Sequence, residues 1–154
     1  QYNPIILKPY SKINLEFHNE NSIHGFGWTH NNPYSNNGLW TEGNISNLLF
    51  KLNEINNDNF KIKIRINSII TKNNEPINFT IEINDNFSKR FSLKNIKELK
   101  ENSIFINIDK ILLKDKIVYI KFIIDNPVTK LELLESPDAR KLGILVESIE
   151  LINN

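Results

Sequence analysis

Apolar residues in this chain return at every second position, and that period constrains the fold more than any other feature. Ile13, Leu15 and Phe17 alternate with Asn14, Glu16 and His18. Phe60, Ile62, Ile64 and Ile66 alternate with Lys61, Lys63 and Arg65, and Ile77, Phe79, Ile81 and Ile83 with Asn78, Thr80 and Glu82. A strand with one face on a core and the other in water has this period; an amphipathic helix does not. Further strands are expected over 45–53, 87–93, 103–108, 117–124 and 143–152, about eight or nine in all. Clusters of turn formers separate them: Asn56-Asn57-Asp58-Asn59, Lys72-Asn73-Asn74-Glu75-Pro76, Asp85-Asn86 and Asp125-Asn126-Pro127. A spacing of about ten to fifteen residues per strand favours antiparallel hairpins over crossover helices. The expected fold class is therefore all-β, a two-sheet antiparallel β-sandwich. Short helical turns are expected at 94–101 and 130–135. Strand 117–124 is nearly all apolar, which places it centrally with both faces covered.

Size and composition agree with one core. A chain of 154 residues hides roughly 70% of its unfolded surface on folding, and 40% hydrophobic with 24% charged residues is a globular balance. One domain over 1–154 is expected, its core about 10–152, with no internal repeat. A net charge of +1 supplies no field to gather phosphate backbones, which argues against a nucleic-acid partner. The absence of Cys removes disulfides, thiolate chemistry and Cys-based metal centres. The absence of Met suggests a fragment of a longer protein. No apolar run approaches the roughly 18 residues that cross a bilayer, and no secretory signal opens the chain, so direct membrane insertion by this piece is not expected. Asn and Ile each occur 26 times, which makes Asn-containing motifs frequent by chance.

One segment breaks the alternation. Residues 25–43 hold both tryptophans, Trp28 and Trp40, with Gly25, Gly27, Gly38 and Gly43, and read as an ordered loop in which Asn37-Gly38 can form a tight turn. Flat rings such as Trp28, Tyr34 and Trp40 can stack on the C–H face of a sugar, while His30, Asn31, Asn32 and Glu42 bond its hydroxyls. The alternative is that both indoles plug one end of the sandwich with their N–H groups tied to carbonyls. A second segment, Ser136-Pro137-Asp138-Ala139-Arg140-Lys141-Leu142-Gly143, places Asp138 where it can cap a turn and Arg140 where it can reach a carboxylate or carbonyls. Arg140 suits either an anionic sugar or the pinning of the loop to the last strand. Asp138 is expected to be structural.

Metal and catalytic signatures are weak. His18, His24 and His30 are six residues apart, which matches no helical metal motif. A structural calcium has Asp125, Asn126 and Glu147 as conceivable ligands but no calcium loop, so no cofactor is expected. There is no nucleophile elbow, phosphate-cradling loop or dinucleotide fingerprint, and no carboxylate pair set by periodicity. Asn44, Asn78 and Asn86 lie in sequons that carry no function on their own.

Taken together, Gly25-x-Gly27-Trp28-Thr29, Gly38-x-Trp40-Thr41-x-Gly43 and Ser136-Pro137-Asp138-x-Arg140-x-Leu142-Gly143-Ile144 resemble an accessory β-sandwich domain at the C-terminal end of bacterial glycosyltransferases and related polysaccharide-assembly proteins. The resemblance spans roughly 10–152. It implies a jelly-roll, galactose-binding-like module that binds or positions an oligosaccharide or polysaccharide for an attached catalytic domain in capsule, lipopolysaccharide or other surface-glycan synthesis. The location implied is bacterial, on the cytoplasmic face of the inner membrane or in the periplasm. By the same resemblance the family's tryptophans fall on Trp28 and Trp40, and its acidic and basic pair on Asp138 and Arg140. The chain departs from the pattern after the first Trp-Thr pair, where His30-Asn31-Asn32-Pro33 stands in place of an acidic residue.

Overall fold

A computed structural model describes residues 5–7, 12–14, 25–32, 35–52, 59–134 and 137–152. Among the described residues, eleven strands form two sheets. The first has the order β1 (Ile5–Leu7), β5 (Ile45–Leu52), β10 (Ile117–Ile124), β7 (Ile77–Ile83) and β8 (Phe87–Leu93). The second has β3 (Trp28–Asn32), β4 (Ser35–Glu42), β11 (Leu142–Ile152), β6 (Asn59–Asn67) and β9 (Ser103–Asp109), with β2 (Lys12–Asn14) also paired to β11. Every pairing is antiparallel except β1 with β5. The molecule is a two-sheet β-sandwich in which successive strands pass repeatedly from one sheet to the other, as expected of a jelly roll.

The alternating residues account for the core. Phe60, Ile62, Ile64 and Ile66 of β6 face Phe79, Ile81 and Ile83 of β7 and Val118, Ile120, Phe122 and Ile124 of β10 across the sandwich, all of them buried. Lys61, Lys63 and Arg65 point outward, where Arg65 pairs with Glu147 of β11 at 3.1 Å. Strand β10 is central, as its composition suggested, but its second face is only partly covered: Ile117, Tyr119, Lys121 and Ile123 are half-buried.

Within 25–43, expected to be a loop, the described residues of β3 and β4 instead pair as antiparallel strands. Gly38 is not in a turn but inside β4, at φ +97°, where an added Cβ would lie 2.6 Å from the Val146 carbonyl oxygen of β11. The close approach of two backbones, not a reversal, requires glycine there. The helical segment at 94–101 is reduced to two short 3₁₀ turns, Ile96–Glu98 and Lys100–Asn102. The segment at 130–135 is an α-helix, α1 (Lys130–Leu134), opened by a capping box. Thr129 N–H donates to Glu132 Oε2 and Glu132 N–H to Thr129 Oγ1, both at 3.0 Å.

The excursion between β10 and β11 seals part of the second sheet's outer face. Leu39 of β4 joins the main core, and its neighbour Trp40, on the opposite face, enters a smaller cluster with Leu142, Leu145 and Ile69. Lys130 of α1 lies over the Trp40 ring, with Nζ 5.7 Å from its centroid.

Candidate functional site

One end of the sandwich gathers both segments that the sequence set apart. Gly27 has φ +85°, and a Cβ there would lie 2.2 Å from the Ile45 carbonyl oxygen, so the strap 25–27 lies flat on the start of β5 only because it lacks a side chain at that point. Asn47 of β5 holds the strap. Its N–H donates to the Phe26 carbonyl, and its Oδ1 accepts from the Phe26 N–H, both at 3.1 Å. Its Nδ2 donates to the Tyr119 hydroxyl at 3.0 Å, and its own carbonyl accepts the Trp28 indole N–H at 2.7 Å. The Gly27 carbonyl accepts from Glu42 N–H and Ser46 Oγ. The turn between β4 and β5 is tied in as well: Gly43 N–H reaches the Lys141 carbonyl at 2.8 Å, and Asn44 Nδ2 the Ile124 carbonyl at 2.9 Å.

Asp138 and Arg140 close the same end. The guanidinium meets the carboxylate in a two-point fork, Nε to Oδ1 at 2.9 Å and Nη2 to Oδ2 at 2.6 Å, and Arg140 N–H also donates to Oδ1 at 3.1 Å. The remaining arm, Nη1, donates to Thr29 Oγ1 of β3 at 2.7 Å, across 111 residues of sequence. The hydrogen bonds from Arg140 lower the Asp138 pKa from an ordinary 3.8 to about 2, against a smaller opposing effect of burial. Arg140 is raised above its ordinary value, first by hydrogen bonding to Asp138 and in part by the nearby charge of Glu42.

The sequence-based candidates therefore separate. Trp40 is only 4% exposed and offers no ring face to a ligand, which corrects its assignment as a stacking residue. Trp28 is half-buried, edge-on to Phe122 with centroids 5.6 Å apart, and its N–H is engaged. Arg140 is committed to Asp138 and Thr29, so it pins the 137–141 loop to β3 rather than to the last strand. Glu42 is half-buried at the same end. His30, Asn31 and Asn32 lie in β3, an edge strand of its sheet among the described residues, with His30 in register with Leu39. Tyr34 lies outside the described residues. The conceivable calcium ligands do not converge. Asp125 is held by Arg90 at 2.6 Å after β10, whereas Glu147 is held by Arg65 on the other sheet. Among the described residues no group of three His, Cys, Asp or Glu could hold a metal ion.

Sequence reasoning missed Phe26, Asn47, Tyr119 and Thr29. Phe26 is 62% exposed, and its place between two glycines was the available signal. Asn47 sits early in an apolar strand run, where a polar residue is a hint of a partner. A cavity of about 20 Å³ between Ile69, Asn74, Val128, Leu133 and Leu142 has room for little more than a water molecule and is too small for a sugar ring.

No protein-family model and no curated protein matches the sequence. Solved structures with a similar fold include the mosquito-larvicidal Cry4Aa toxin of Bacillus thuringiensis (TM-score 0.55, 10% identity, 98% of this chain and 25% of that one). They also include a Bacillus thuringiensis Cry1Da tryptic core variant (0.53, 11%, 97% and 25%) and the Podospora anserina GH26-CBM35 β-(1,4)-mannanase (0.50, 9%, 94% and 27%). This chain thus spans about a quarter of each, and at these identities the likeness is one of fold.

Proposed function

We propose that the chain is a non-catalytic glycan-binding module of a larger protein, a bacterial glycosyltransferase of capsule, lipopolysaccharide or other surface-glycan synthesis, and that it positions glycan for the attached catalytic domain. The observation that carries this proposal is the convergence of 25–29, 42–47 and 138–141 on one sandwich end, where hydrogen bonds fix the backbone of an exposed aromatic residue near polar groups. The fold likeness to a mannanase that includes a CBM35 module supports the same function. His30, Asn31, Asn32, Tyr34, Glu42 and the open part of Trp28 are the proposed polar and ring contacts, at whichever side of the inner membrane the transferase faces. Such sites are weak alone, and tethering to the enzyme raises the effective concentration enough to make them useful. Affinity electrophoresis through gels containing purified capsular or lipopolysaccharide glycans tests it: retarded migration is expected, and unretarded migration through every glycan contradicts it.

A second function has its own support. Both indoles are built into internal packing, while Leu131 and Leu134 of α1 are 51% and 54% exposed, as expected of a domain that packs on its neighbour or on a second copy. Sedimentation of the chain with and without Leu131→Glu and Leu134→Glu tests packing on a second copy: association that the substitutions abolish would favour assembly, and monomers throughout would contradict self-assembly through α1.

A further inference from the structure

We propose that Phe26 is the stacking platform of the glycan site and that its ligand is a neutral oligosaccharide presenting a pyranose C–H face; this rests on the glycan-binding function proposed above. The ring is 62% exposed, yet the backbone beneath it is held on both sides by Asn47 at 3.1 Å. An added Cβ at either flanking glycine would lie within 2.2 Å of β5 backbone oxygens, those of Asn47 and Ile45, so the strap is seated as closely as a chain can be. A backbone fixed in this way anchors an aromatic side chain that is left in water, where it can meet a flat apolar partner with little ordering of the main chain.

Its surroundings specify that partner further. The Asn47 amide that holds Phe26 also donates to the Tyr119 hydroxyl, which brings a second aromatic residue to the same sheet face; the Tyr119 oxygen accepts, and its own hydrogen remains a donor for a sugar hydroxyl. Two residues before Asn47 on the same strand, Ile45 is 40% exposed and lies in register with Ile123, which adds apolar surface near the strap. Lys121, opposite Asn47, is matched by Glu82 at 3.8 Å, so a carboxylated sugar gains little charge attraction there and a neutral one meets no penalty.

Calorimetric titration of the 154-residue chain, Phe26→Ala and Phe26→Trp with cello-, manno- and galacto-oligosaccharides, and with oligogalacturonate as the acidic probe, tests the assignment. At least one neutral probe is expected to bind; Phe26→Ala weakens it about tenfold at unchanged melting temperature, and Phe26→Trp keeps it and adds a ligand-dependent shift in indole emission. Equal affinity in Phe26→Ala would move the platform elsewhere while leaving glycan binding intact. Preference for oligogalacturonate would overturn the neutral class. Dimers that Phe26→Ala dissolves would give the ring to a second copy and overturn the assignment. Failure of the unaltered chain to bind any probe would remove both this inference and the function beneath it.

Discussion

Asp138 and Arg140 show what a single residue pair does for this end of the molecule. Replacing Arg140 by Ala leaves a largely buried carboxylate and the Thr29 hydroxyl without their shared donor, and a loss of about 2–3 kcal/mol is expected in urea unfolding. The same pair gives a pH signature. Because the folded-state pKa of Asp138 is depressed to about 2, its stabilisation, on the order of 2 kcal/mol, is complete above the unfolded value and fades as pH falls from about 4 towards 2. Acid unfolding of Asp138→Asn should lack that component; an unchanged acid limb would mean that the fork contributes nothing. Trp40→Ala should cost about 3–5 kcal/mol, read by thermal or urea unfolding, since the ring fills the cluster of Leu142, Leu145 and Ile69. At this scale the sequence set apart residues by type and left their roles open. Both tryptophans and the Asp-Arg pair stand out by type, but burial decides between a platform and a plug, and burial depends on α1 and the 137–141 loop folding back over β4.

At the scale of elements, alternation located the strands well because each buries one face against a large core. The hairpin β3–β4 escaped because its residues are mostly polar or glycine, and a strand beneath a covering loop has no need to alternate. Strand β11 shows the same limit from the other side: its inward residues run Ile144, Val146, Ile149, Leu151, and the slip between Val146 and Ile149 is a bulge in the pairing with β6. The strap depends on glycine in a way composition alone does not reveal. Gly27→Ala should destabilise the fold by about 1–3 kcal/mol, because φ +85° disfavours a side chain and Ile45 blocks it. Chemical denaturation checks this, and a neutral result would mean that the strap shifts freely on β5.

For the whole molecule, the candidate site depends on residues far apart in sequence meeting at one end of a sandwich: Phe26 and Trp28, Asn47, Tyr119, and Arg140. Sequence could foresee the sandwich but not this meeting, because strand order and register set it. A fold shared with a quarter of each toxin and of the mannanase says little about a ligand by itself; the local surface supplies what chemistry there is. The most direct measurement is a backbone NMR titration of the chain with a surface glycan that retards it. Shifts should cluster at 25–29, 42–47 and Tyr119, leaving the outer face of β6 and β9 still; shifts confined to that opposite face, or to α1, would place the ligand elsewhere and contradict a glycan site at the strap.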